Sequence, residues 1–99
     1  GLRNAMAISV VSIAILIEME GNECKKARIG LGAVAPKPIM AYGVEEMLMG
    51  REITKELIET CCEEVQEEIH PITDIRASAD YRRMMASVLL KRLIQQITL

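Results

Sequence analysis

The chain has no tryptophan, no phenylalanine and only two tyrosines, Tyr42 and Tyr81. Base-stacking platforms and cages for quaternary ammonium groups need several aromatic faces, so neither is expected. Histidine occurs once, at His70, which leaves no argued Ser–His–Asp set. An excess of one charge is also missing. There are 12 Lys plus Arg against 14 Asp plus Glu, for a net charge of −2. Nucleic-acid binding wants a basic surface, so no nucleic-acid partner is expected. Long apolar runs are lacking too. Ala5 to Ile17 is thirteen residues without a charge, short of the roughly 20 that a membrane helix needs, so no membrane partner is expected. A signal-peptide core looks similar, but Ile8, Val10, Val11, Ile13, Ile15 and Ile17 are β-branched and favour a buried strand.

What is present is an aliphatic core and an ordinary surface. The chain has 99 residues, 51% hydrophobic and 26% charged, the profile of one small globular domain rather than a disordered segment. Position 1 is Gly rather than Met, and the chain is expected to be a piece of something longer. Cys24, Cys61 and Cys62 are odd in number and two are adjacent. A disulfide framework prefers even counts, so reduced thiols in the cytoplasm are expected.

The first half reads as strand. Ala7 to Met19 is expected as one strand, a turn follows at Glu20–Glu23, and Cys24 to Val34 is a second strand. In the latter, Ala27, Ile29, Leu31 and Ala33 share one face, and Lys26, Arg28, Gly30, Gly32 and Val34 the other. Two glycines on one face imply close approach of a neighbour or a ligand. Lys37 to Ala41, bounded by prolines, is a candidate edge strand. The second half reads as helix: Gly43–Met49, a helix capped by Thr54 and closed at His70-Pro71, and a last helix from Ala79 to about Ile97 capped by Ser78. The expected class is α+β, an antiparallel sheet of about three strands with helices on one face.

Several motifs fail on chemistry. Gly30-Leu31-Gly32-Ala33-Val34-Ala35 fits G-x-G-x-x-A on paper, but that pattern must open a helix, and Pro36-Lys37-Pro38 follows at once. Glu67-x-x-His70 resembles half of a di-iron motif, yet no second copy exists. Cys61 and Cys62 lie on an apolar helical stripe and read as inert core thiols. Asp74, Arg76, Tyr81, Arg82 and Arg83 cluster at a helix start. They read as a loop pin, with Tyr81 covering the core, or else as an arginine-rich anion or partner site.

Three stretches carry a family resemblance: Arg3–Val11 (RNAMAISVV), Ala27–Ile39 (ARIGLGAVAPKPI) and Asp74–Arg83 (DIRASADYRR). In these the chain resembles the C-terminal domain of the FAD-binding (medium) subunit of the molybdenum hydroxylases, a family that includes xanthine dehydrogenase and carbon monoxide dehydrogenase. The resemblance implies a three-stranded antiparallel sheet with about three helices. It makes residues 1–99 a single domain, the C-terminal lobe of a longer subunit whose upstream FAD-binding lobes are absent here. It implies FAD as cofactor, with molybdenum cofactor and [2Fe–2S] centres on partner subunits, and electron flow from molybdenum through iron–sulfur to FAD and an acceptor. The cysteines match no cluster-ligating pattern, in keeping with that division. By resemblance the domain supplies one wall of the flavin site, with Ile8, Ala7 and Arg3 as candidate cofactor contacts. The family carries an acid where this chain has Ala7. No residue inherits a catalytic role, so the chain alone is not expected to be catalytic. A rival expectation is a free-standing regulatory or oligomerisation module without flavin, resting on the wide apolar arc Met84, Met85, Val88, Leu89, Leu90, Leu93, Ile94 and Ile97.

Overall fold

Alternating burial along two strands decides which side of the sheet carries the helices. The computed structural model describes residues 1–33, 37–70 and 77–98. Strands β1 (Leu2–Ile8), β2 (Ser12–Glu20) and β3 (Glu23–Gly32) form an antiparallel meander. In β2, Ile13, Ile15, Ile17 and Met19 are buried, while Ala14, Leu16, Glu18 and Glu20 are exposed. This period of two is what one covered face requires. In β3 the buried set is Cys24, Ala27, Ile29 and Leu31. The uneven step from Cys24 to Ala27 comes from a bulge: Glu18 pairs with Lys26 but Met19 with Cys24, leaving Lys25 as the extra residue. The hairpin between β2 and β3 turns on Gly21, at φ +62°.

Two further strands have only two residues each. Strand β4 (Ile39–Met40) pairs with Gly30 and Leu31, and β5 (Arg51–Glu52) with Glu23 and Cys24. Helices α1 (Tyr42–Leu48), α2 (Lys55–Glu68) and α3 (Ala79–Thr98) cover one face. Helix α1 packs on β3, α2 on α1 and α3, and α3 on β1 and β2. The architecture is α+β, as the sequence implies, with five strands among the described residues in place of about three.

Two boundaries differ instructively. The run from Ala7 to Met19 is not one strand, because the chain reverses at Ser9–Val11, where the Ser9 N–H donates to Val11 O at 2.8 Å. Nothing in that β-branched stretch marks a turn; the turn is held from outside, by Arg82 Nη1 donating to Val10 O. The second strand stops at Gly32, and Ala33 takes φ +64°. The helix caps are as read: Thr54 Oγ1 accepts from the Leu57 N–H at 3.1 Å and Ser78 Oγ from the Tyr81 N–H at 3.0 Å.

Among the described residues the far edge of β3 has no full-length neighbour, and its polar groups are met piecemeal. The Ala41 N–H donates to Ile29 O at 2.9 Å and the Gly50 N–H to Cys24 O at 2.7 Å. The Ile29 N–H donates to Glu45 Oε2 at 2.7 Å, and Glu45 is only 5% exposed. Helix α1 is capped by a side chain from α2: Glu68 accepts from the Gly43 N–H at 2.7 Å and the Val44 N–H at 3.0 Å. Gly43 leaves room for this cap, since a Cβ would fall 2.9 Å from Glu64 Oε2 and 3.0 Å from Glu68 Oε2 and press on both carboxylates.

Replacing Glu45 by Ala orphans the buried Ile29 N–H and is expected to cost about 1–3 kcal/mol. A urea midpoint unchanged from wild type would show that water satisfies that edge. Glu68 titrates above the ordinary carboxylate range, because burial and the neighbouring Glu64 carboxyl outweigh the two N–H donors. The folded state therefore binds this proton more tightly than the unfolded chain, whose value is 4.5. Ionising Glu68 costs stability as pH rises from that value through the folded one. Glu68→Gln should gain on wild type in urea titrations as pH rises from about 4.5 through the raised folded value. A variant that instead loses ground over that interval would show that the cap favours the charged form.

Candidate functional site

The strand period splits the three candidate contacts between two faces. On β1 the even residues point away from the helices, and Leu2 and Met6 are each 66% exposed and Ile8 77%. The odd residues point toward α3. Ala7 is partly buried against the core, and Arg3 Nη1 donates to Ile97 O in the last turn of α3. That bond places a cation at a helix C-terminus, where the dipole favours it. Ile8 alone of the three faces open space on the outer side of the sheet, while Arg3 and Ala7 fasten its strand from behind.

Around Ile8 the outer face is apolar and bare. A trough of about 400 Å³ is lined by Met6, Ile8, Ala14, Gly30, Pro38 and Met40, among others. The two glycines differ in what surrounds them. A Cβ on Gly32 would fall 2.5 Å from Ser12 Oγ, so the Ser12 hydroxyl would have to turn away, whereas one on Gly30 would sit 3.7 Å from Met40 Sδ, an ordinary contact. Close packing thus bears on Gly32 and leaves Gly30 as bare backbone on this face. Met6 shares the face with Ile8 two residues along; once β1 is known to be a strand, the period gives it directly.

The motif residues part company. Arg82 is 3% exposed, and its Nη1 donates to Val10 O and Ala33 O, each at 3.0 Å. It is therefore a structural clamp rather than part of an exposed anion site. Arg83 Nη1 pairs with Asp80 at 3.2 Å on the surface. Tyr81 is 44% exposed and does not cover the core. Asp74 and Arg76 lie outside the described residues, as do Val34, Ala35 and Pro36. The apolar arc of α3 is mostly spent inward: Leu89, Leu90, Leu93, Ile94 and Ile97 are buried and Met84 is exposed.

Cys24, Cys61 and Cys62 are free and buried. Burial, then the neighbouring Cys62, pushes the Cys61 thiol up to about 12. Burial also raises Cys24 and Cys62, and each thiol donates to a backbone carbonyl, Cys24 Sγ to Lys26 O and Cys62 Sγ to Ser87 O. Among the described residues no three His, Cys, Asp or Glu side chains converge to hold a metal ion, and no helix is long and apolar enough to cross a membrane.

Residues 2–97 match the model of the CO dehydrogenase flavoprotein C-terminal domain, and the chain belongs to that family. It is 29% identical over 96 residues to the glyceraldehyde dehydrogenase medium chain of Sulfolobus acidocaldarius, covering 97% of this chain and 34% of that one. It is 30% identical over 88 residues to the carbon monoxide dehydrogenase medium chain of Afipia carboxidovorans, covering 89% and 31% respectively. Among solved structures, quinoline 2-oxidoreductase from Pseudomonas putida 86 superposes with a TM-score of 0.89 at 28% identity, over 98% of this chain and 37% of that one. A Cu,Mo-CO dehydrogenase superposes at 0.86 with 26% identity, over 99% and 36%. The chain thus spans about a third of the length of these relatives. It is a C-terminal domain of the kind carried by FAD-binding subunits of molybdenum hydroxylases.

The thiols are expected to resist alkylation at neutral pH in the folded protein and to react only on unfolding, because the reactive species is the thiolate. Mass spectrometry after brief iodoacetamide treatment checks this; stoichiometric labelling of native Cys61 would refute it.

Proposed function

We propose that the chain serves as the C-terminal lobe of a FAD-binding subunit in a molybdenum-containing dehydrogenase, and that its sheet end at Ile8 forms one wall of the flavin site. The observation that carries this reading is the exposed, apolar trough beside Ile8, bared at Gly30, on the face that no helix among the described residues covers. A face of that kind suits a flat aromatic ring system and offers nothing for a diphosphate, which fits a cofactor held mainly by upstream FAD-binding lobes. Family membership supports FAD, and bound FAD supplies the redox chemistry itself.

This chain's own share is shape and dielectric. Ile8, with Met6 beside it, excludes water from one side of the ring system. Arg3 and Ala7, the other two candidates, act at one remove by tying β1 to α3 and the core. The partners in this reading are the upstream lobes and the molybdenum-binding and iron–sulfur subunits, with electrons passing from molybdenum through [2Fe–2S] to FAD and an acceptor. Three unpaired thiols support a reducing compartment such as the cytoplasm. The flavin-free module loses its main support, because the arc of α3 on which it rested packs into the core.

Ile8→Asp in the native flavoprotein is expected to lower flavin retention or alter flavin reoxidation, with the fold intact because the side chain is exposed. FAD released on denaturation and stopped-flow reoxidation measure this. Wild-type flavin content and wild-type kinetics together would remove Ile8 from the site.

A further inference from the structure

Two segments meet at the apolar end of the sheet, and neither is shaped by its own sequence. Ser9–Val11 reverses the chain without glycine, proline or asparagine. Ala33, just past β3, is the one non-glycine residue with positive φ among the described residues, at +64°. A Cβ is strained in that region and stays there only when its surroundings hold it. Both segments are held by one group. Arg82, 3% exposed near the start of α3, sends Nη1 to Val10 O and to Ala33 O, each at 3.0 Å. That nitrogen carries two hydrogens, one for each carbonyl. The segments also touch directly: Gly32 leaves room for Ser12, and Ser12 is the register partner of both Gly32 and Ile8.

We propose that Arg82 is a positioning residue for the flavin wall: by fixing Val10 O and Ala33 O together, it sets where Ile8 stands on the outer face. The inference rests on the wall reading above. Ile8 is two residues from Val10, at the end of a tight reversal with Ser12 opposite, so a displaced Val10 carbonyl moves Ile8 with it. The guanidinium acts on the outer face through these two backbone carbonyls. Its planar, permanently charged fork keeps both bonds at every working pH.

The test uses the native flavoprotein that carries this domain, with Arg82→Met, Arg82→Lys and Ile8→Asp. Hydrogen exchange is followed in peptides covering 8–12 and 30–33, with α2 peptides as reference, and the flavin reduction potential is measured by spectroelectrochemistry. Arg82→Met should speed exchange in both segments by about tenfold, leave α2 unchanged and shift the potential. Arg82→Lys, which keeps the charge and the donors but not the fork, should restore both readouts part of the way. If Arg82→Met does not fold, Arg82→Lys carries the same two readouts, with smaller changes expected in both. A potential unchanged in the Arg82 variants while Ile8→Asp alters it would overturn the positioning role and leave the wall standing. A potential and flavin content unchanged in Ile8→Asp as well would bring down the wall and this inference together. Exchange that rises in only one segment would show that Arg82 does not couple the two.

Discussion

The unfinished edge of β3 is the constraint from which the rest of the structure follows. A three-stranded meander leaves β3 with a row of backbone donors and acceptors that must find partners. No single strand supplies them. Two residues of β4 cover one end, two of β5 the other, and Ala41, Glu45 and Gly50 meet further groups at Ile29 and Cys24. That solution fixes α1 against the sheet, because Glu45 is on α1 and Ala41 directly precedes it. Glu68 then caps α1 and draws α2 into place. Helix α3 packs on α2 and brings Arg82 to the opposite end of the sheet. The chain of dependence thus runs from one strand edge, through two carboxylates, to the guanidinium that closes the far turn.

This ordering explains what the sequence discloses and what it conceals. Local patterns are legible. The stripe Leu57, Ile58, Cys61, Cys62 and Val65 is buried as its 3.6-residue period implies, and Thr54 and Ser78 cap where short polar side chains should. The alternation in β3 likewise names its core face, apart from the bulge. Hidden are the features whose cause lies far along the chain. The reversal at Ser9–Val11 looks like uninterrupted strand because its holder is Arg82, 72 residues away from Val10. Glu68 falls on the arc opposite its helix's apolar stripe, and nothing in the helices of Glu45 and Glu68 shows that a β-edge and a helix N-terminus await them. Strand β5 is two residues long, too short to carry a period.

The candidate site was half legible for the same reason. The family resemblance points to the segment Arg3–Ile8, but resemblance does not separate the two faces of a strand. Alternation assigns Arg3 and Ala7 inward and Ile8 outward, and it can be applied only once β1 is recognised as a strand separate from β2. The run that disguised the turn therefore also disguised the orientation of the site.

The outer face itself is graded along the strands. Near the β2–β3 hairpin and through its middle it carries Glu18, Glu20, Lys26 and Arg28, with Leu2 and Leu16 apolar among them. Toward the other end come Ala14, Gly30, Met6, Ile8 and Gly32, with Ser12 the polar member and no charge. A sheet with one side simply left to water has no need of this asymmetry, since polar side chains would serve along its whole length. The charged half is what such a surface needs for solubility. The bare half costs solubility and returns nothing to the core, because the core lies on the other side. Its position over the only non-glycine backbone strain among the described residues, and over the turn fixed by Arg82, sets it apart from accidental exposure. Strain and exposed apolar surface each lower stability, and here they fall at the same end of the sheet, on Ala33 and on Met6 and Ile8. That coincidence is the strongest physical argument that this end of the domain is built to be covered by something other than water.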